Sequence, residues 1–195
     1  MKQLLFSLLI FVSSSIFAAN APNFEATDIN GKTHKLSDYS GKVVVLEFIN
    51  FGCPFVKKHY DNSGNIPKLQ KTYTDKGVIW LLICSSAEDK QGYFPTGKVQ
   101  SMLNKNKAVP TAYLVDSSGT IGKAYGAKVT PHFFIIGKEG KLLYQGGIDS
   151  KKSTKAADIA SAEPYVKNAL DEILAGKPVS NAKTKPYGCG IKYAK

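Results

Sequence analysis

The stretch Val43-Val44-Val45-Leu46-Glu47-Phe48-Ile49-Asn50, running straight into Phe51-Gly52-Cys53-Pro54-Phe55-Val56-Lys57-Lys58, decides how the chain is read. Its first half is apolar on both alternating faces apart from Glu47, the pattern of a strand at the centre of a parallel sheet. Pro54 suits a first helical position, because its fixed φ fits and the amide hydrogen it lacks would have had no partner there. Cys53 is therefore predicted to cap a helix where a strand ends. Unpaired amides and the positive end of the helix dipole favour a thiolate at such a place. Lys57, four residues on and one turn down the same face, adds a positive charge. The competing reading makes Cys53 a small apolar core residue, as free cysteines often are.

Working outward, Val78 to Cys84 reads as a second buried strand. The helix from Pro54 should break near Asp61-Asn62-Ser63-Gly64 and resume through Ile66, Leu69 and Tyr73 to Gly77. Strand, helix and strand then form a right-handed crossover. Val99 to Lys107 is predicted helical, Thr111 to Val115 a short strand, and Ile121 to Tyr125 one more short helix. Residues 132–136 and 141–145 flank Gly137-Lys138-Glu139-Gly140 as a hairpin, and an earlier hairpin turns at Asn30-Gly31, a pair suited to a tight two-residue turn. A last helix begins near Pro164 and stops at Gly176. Residues 177–195 carry five lysines and no acid, and read as a basic tail that is either an extended strap or freely moving.

The chain has 195 residues with 43% hydrophobic content, enough for one domain with a sizeable core. Met1-Lys2, the apolar run Leu4 to Phe17 and Ala18-Ala19 have the layout of a secretory signal. That run is short of the roughly 20 apolar residues that span a bilayer. Cleavage is expected after Ala18 or Ala19, since a cut after Ala21 would leave Pro22 at the junction. The expected layout is residues 1–19 as signal, 20–176 as the folded domain and 177–195 as the tail. The product would be exported: periplasmic in a Gram-negative cell, otherwise secreted, with no stable membrane insertion after cleavage. The formal charge is +11, and every basic residue is a lysine. Without arginine the bidentate readout favoured by nucleic-acid binders is missing, so no nucleic-acid partner is expected.

Export means oxidising conditions, under which cysteines are paired or deliberately reactive. Cys53, Cys84 and Cys189 are an odd number, so at least one is free or paired with another molecule. Cys189, between Gly188 and Gly190, reads either as a resolving partner for Cys53 or as a staple for the tail. Cys84 ends a buried strand and reads as an inert thiol. Glu47 is expected to be a buried acid with a raised pKa that exchanges protons with the thiol; the alternatives are a partner for a lysine or a strand end reaching solvent. Thr130-Pro131 precedes a strand, and a cis bond there would turn the chain and present Thr130 backbone groups to a thiol or substrate. His34, His59 and His132 lack a ligand spacing, so no metal is expected. His59, about 240° around the helix from Cys53, does not form a local pair with it. No Gly-rich phosphate loop suggests a nucleotide cofactor.

Val-Leu-Glu-Phe before Cys53, Ile83-Cys84-Ser85-Ser86, Tyr125-Gly126-Ala127 before Thr130-Pro131-His132, and Pro186-Tyr187-Gly188-Cys189-Gly190-Ile191-Lys192-Tyr193 together resemble the exported thioredoxin-like redoxins grouped with the alkyl hydroperoxide reductase/thiol-specific antioxidant proteins. The resemblance implies an α/β thioredoxin fold: a central mixed sheet flanked by helices, here with an N-terminal hairpin and an extended C-terminal tail. It places Cys53 on the first cysteine of C-x-x-C, Val56 on the second, Glu47 on the buried acid and Pro131 on the cis-proline. Without the second cysteine, exchange must be monothiol or recruit Cys189 or Cys84. Cys84 itself departs from the family, where a polar residue such as asparagine is expected. The implied activity is thiol-disulfide exchange without a cofactor, with Cys53 as nucleophile, Cys189 resolving and Glu47 assisting. Pro54, Phe55, Thr130 and Pro131 would contact a protein thiol or disulfide, and a separate electron donor would close the cycle. Thiol peroxidase activity is a second reading, lacking the Pro, Thr and arginine of peroxiredoxins. A non-catalytic binding module is the third.

Overall fold

The structure, a computed structural model, describes residues 19–195, so the expected signal lies outside the described residues except for Ala19. Strands β1 (Glu25–Thr27) and β2 (Thr33–Lys35) form the N-terminal hairpin. Its turn is wider than expected. The Asp28 amide donates to the Lys32 carbonyl at 2.8 Å, and Asp28 Oδ1 accepts the amides of Asn30 and Lys32, leaving Ile29-Asn30-Gly31 as the loop. An aspartate that can bond its own turn outcompetes the two-residue geometry.

Next come β3 (Val44–Phe48), α1 (Pro54–His59), α2 (Asn65–Thr74), β4 (Ile79–Cys84), α3 (Thr96–Lys105), β5 (Ala112–Val115) and α4 (Thr120–Tyr125). They are followed by β6 (Val129–Thr130), β7 (His132–Ile136), β8 (Leu142–Gly146), α5 (Tyr165–Leu174) and β9 (Cys189–Gly190). The central sheet runs β5-β4-β3-β7-β8, with β3, β4 and β5 parallel and β7 and β8 antiparallel. It is the mixed sheet expected. All of β3 is buried because alternate residues serve two cores. Val43, Val45 and Ile49 pack with residues of α1, α2, α3 and α5, whereas Val44, Leu46 and Phe48 pack with Ile121 and Tyr125 of α4 and with Phe134.

The tail is docked as an extended strap. The Gln145 amide donates to Ala182, the Thr184 amide to Gln145, the Ile191 amide to Lys128, and the Tyr193 hydroxyl to Ala127. A Cβ on Gly146 would sit 2.0 Å from Thr184 Oγ1, so glycine is what lets the tail lie this close to β8.

One charged pair is buried among these elements. Lys58 of α1 is fully buried and its ammonium donates to Asp149 Oδ2 at 3.4 Å and to the Lys151 carbonyl at 3.0 Å. Asp149→Ala strands that ammonium without its counter-charge and should lower the unfolding free energy by about 3–5 kcal/mol in urea titrations. A loss below about 1 kcal/mol, the range of exposed pairs, would contradict this packing.

Candidate active site

The turn from β3 into α1 builds the site from backbone outward. The Cys53 amide donates to the Asn50 carbonyl at 2.9 Å, and Asn50 Oδ1 accepts the Gly52 amide at 2.7 Å. Cys53 is the N-cap, Pro54 the first helical residue, and the Cys53 carbonyl accepts the Val56 and Lys57 amides. Cys53 thus stands at the strand-to-helix junction. Val56 is fully buried in the apolar core beneath it.

Cys53 is itself fully buried, and its thiol donates to the Thr130 carbonyl at 3.2 Å. The Thr130-Pro131 peptide bond is cis. The backbone of Thr130 faces a thiol, but it is not free for a partner: β6 pairs antiparallel with β9, Thr130 opposite Cys189 and Val129 opposite Gly190. Between strap and loop there is almost no space, since a Cβ on Gly188 would lie 1.9 Å from the Thr130 carbonyl oxygen. Cys189 is half-buried and its thiol is pushed up to about 12, by burial first and then by the neighbouring Cys53; Lys192 opposes the shift. The three cysteines are free thiols. Residues Cys53, Thr130, Pro131 and Cys189 therefore converge from β3–α1, the β6–β7 junction and the tail.

The other expected residues divide. Phe55 sits in the site wall, its ring edge-on to Tyr187 at 5.7 Å between centroids, while Pro54 is exposed. Lys57, expected to lend its charge to Cys53, is exposed, and the buried lysine is Lys58. Cys84 is buried and its thiol donates to the Gly92 carbonyl at 3.3 Å; burial raises its pKa. Among the described residues no cluster of His, Cys, Asp and Glu is placed to hold a metal.

Glu47 is fully buried on the Cys53-facing side of β3, and neither a lysine nor solvent meets it. Tyr60, just past α1, donates to Oε1 at 2.9 Å, and Trp80 Nε1 donates to Oε2 at 2.8 Å. Gln70 of α2 donates to the Tyr60 hydroxyl and accepts the Val109 amide. Burial pushes the carboxyl from 4.5 up to about 8 against those hydrogen bonds.

Sequence reasoning missed a second buried cluster next to this site. The Tyr187 hydroxyl donates to Asp149 Oδ1 at 2.5 Å and lies 3.3 Å from His59 Nε2 and 3.5 Å from Lys58 Nζ. His59 Nδ1 accepts from the Asn65 amide group at 3.0 Å, which leaves the proton on Nε2, facing Tyr187. Burial, reinforced by Lys58 and opposed by Asp149, lowers the His59 pKa to about 4, so the ring is neutral. Lys58 and Asp149 are 91 positions apart, and no local pattern announces such a pair.

Residues 18–145 match the sequence model of the AhpC/TSA family. The chain belongs to that family. Thiol-disulfide oxidoreductase ResA of Bacillus thuringiensis subsp. konkukian is 30% identical over 126 residues, 64% of this chain and 66% of the relative's length. Over nearly the whole chain the fold is similar to an uncharacterized conserved protein of Geobacillus kaustophilus, with TM-score 0.77, 27% identity, and 91% of this chain and 92% of that one covered. The thioredoxin domain of a thiol-disulfide oxidoreductase from Bacteroides vulgatus superposes with TM-score 0.52 at 18% identity, covering 76% of this chain and 98% of that domain. The fold is therefore the thioredoxin fold, with the family match ending at residue 145, before the strap and Cys189.

The Glu47 shift has a measurable sign. Its folded pKa lies above its unfolded one, so the stability it contributes is complete below about pH 4.5 and is lost as the pH rises through about 8. Glu47→Gln has no such loss. Comparing denaturation at pH 5 and pH 8.5, the wild type should fall relative to Glu47→Gln by a few kcal/mol, at about 1.4 kcal/mol per pKa unit. Parallel pH profiles for the two proteins would contradict a protonated, buried Glu47.

Proposed function

We propose that the protein is a thiol-disulfide oxidoreductase using Cys53 and Cys189 as its redox pair. The observation that carries this reading is that Cys189 pairs opposite Thr130, whose carbonyl accepts the Cys53 thiol. Cys53 as thiolate attacks one sulfur of a substrate disulfide; the S–S bond breaks, and the departing sulfur leaves as a thiolate that takes up a proton. Cys189 gives up its proton and attacks the Cys53 sulfur of the resulting mixed disulfide, expelling the second substrate thiolate, which takes up a proton. The substrate gains two electrons and the protein retains a Cys53–Cys189 disulfide. A dithiol donor reopens it, or the cycle runs backwards to oxidise a substrate dithiol, according to the partner's potential.

The Thr130 carbonyl holds the Cys53 thiol, and Pro131 with Pro54 and Phe55 frames the approach of a partner chain. Glu47 supplies and accepts the proton through water, supported by its position on the Cys53-facing side of the sheet and a pKa close to neutrality. The substrate is a thiol or disulfide of a protein, consistent with the activity named for the Bacillus relative. Export is supported by the amino-terminal pattern; among the described residues no helix is long and apolar enough to cross a membrane. The Ala19 carbonyl accepts the Leu142 amide at 2.9 Å, so cleavage after Ala18 keeps that bond and cleavage after Ala19 removes it.

Family membership also favours a second reading, peroxide reduction through a sulfenic acid on Cys53 that condenses with Cys189 and releases water. Direct peroxide consumption distinguishes it and is expected to be slow, because the chain has no arginine to polarise the O–O bond.

Reduction of a protein disulfide by a chemical dithiol, with catalytic amounts of the protein, tests the main reading. Cys53→Ser should fall to the uncatalysed rate, while Cys189→Ser should accumulate a mixed disulfide at Cys53 visible by mass spectrometry. Undiminished turnover in Cys53→Ser would end the proposal.

A further inference from the structure

Among residues 177–195, Tyr187 alone is buried, and it lies two positions before Cys189. Its hydroxyl meets Asp149, His59 and Lys58, and its ring meets Phe55. Three of those four residues belong to α1, the helix that Cys53 caps. The same helix therefore fixes one cysteine at its first turn and the anchor of the other at its second.

We propose that Tyr187 is the latch that positions Cys189 on Cys53, and that the latched strap occupies the β6 edge which a partner chain must use. The latch rests on the dithiol reading given above. β6 and β9 pair over only two residues each, too few to order the strap unaided. Gly188 is the contact that lets the chain pass from the Tyr187 anchor to Cys189 against the Thr130 carbonyl. Beyond Cys189 the strap is held by the Ile191 amide on Lys128 and the Tyr193 hydroxyl on Ala127, so Tyr187 secures the side from which Cys189 is reached along the chain. With the strap down, Cys53 is fully buried and the faces of Thr130 and Phe55 are taken. Raising it uncovers an extended edge beside a reactive cysteine. Tyr187 is a positioning residue: its hydroxyl is engaged by Asp149, His59 and Lys58, and it acts by raising the effective concentration of Cys189 at Cys53.

The test uses the full chain with Tyr187→Phe, which keeps the ring and removes the hydroxyl. Tyr73→Phe is the control, because the Tyr73 hydroxyl also donates to an aspartate, Asp171 at 2.8 Å, but between α2 and α5. Each protein is equilibrated with reduced and oxidised glutathione, quenched in acid, alkylated and weighed. Tyr187→Phe should weaken closure of the Cys53–Cys189 disulfide about tenfold, which is about 30 mV toward the oxidising side, and Tyr73→Phe should match the wild type. In a Cys189→Ser background, Tyr187→Phe should also speed the reaction of Cys53 with an extended cysteine peptide activated as a mixed disulfide, by about threefold or more, as the strap opens. Unchanged closure in Tyr187→Phe, or an equal change in Tyr73→Phe, overturns the latch while leaving the dithiol reading intact. A wild type that forms no Cys53–Cys189 disulfide overturns the dithiol reading, and the latch with it.

Discussion

The carbonyl of Thr130 accepts the Cys53 thiol while its residue pairs with Cys189, and most of the remaining architecture serves to bring those three together. They come from positions 53, 130 and 189, so no local segment can make the site. β3 and α1 fix the first, the β6–β7 junction the second, and the strap the third. Where a C-x-x-C motif would put both sulfurs on one helical turn, Val56 fills the second place and joins the apolar core. Cys189, the thiol proposed to resolve, arrives instead on a separate segment, β9.

Two buried polar clusters support this arrangement. Glu47 ties β3 to Tyr60 beyond α1 and to Trp80 of β4, so the ground beneath the active helix is a carboxyl kept neutral by burial. The Lys58–Asp149–Tyr187–His59 cluster ties the second turn of α1 to the strap. Buried charges and hydroxyls of this kind are costly unless every one is partnered, and that cost makes their geometry specific. An apolar contact could hold the strap equally tightly, but it would tolerate a shift of register that carried Cys189 away from Cys53.

Much of the fold was legible because β3 carries its own explanation: an apolar run buried on both faces, ending in a cysteine and a proline suited to begin a helix. Cys53 as a cap, Pro131 after a cis bond and Glu47 as a buried acid follow from residue chemistry at single positions. Apart from the N-terminal turn, which Asp28 widens locally, the misreadings concern pairs distant in sequence. Lys57 has the helical spacing expected of a charge aiding Cys53, but α1 turns Lys58 inward because Asp149, on the loop after β8, offers the counter-charge. The tail left two alternatives open because its lysines suggest solvent and its glycines suggest mobility. In the structure the glycines permit close approach, Gly188 to Thr130 and Gly146 to Thr184, and composition alone does not distinguish these uses.

Disulfide mapping of the oxidised protein, quenched in acid and alkylated before digestion, is the decisive measurement. A Cys53–Cys189 link is expected in the oxidised fraction, with Cys84 free and its thiol held on the Gly92 carbonyl. A Cys84–Cys189 link with an unreactive Cys53 would contradict it and leave a thioredoxin-fold binding module in place of an oxidoreductase.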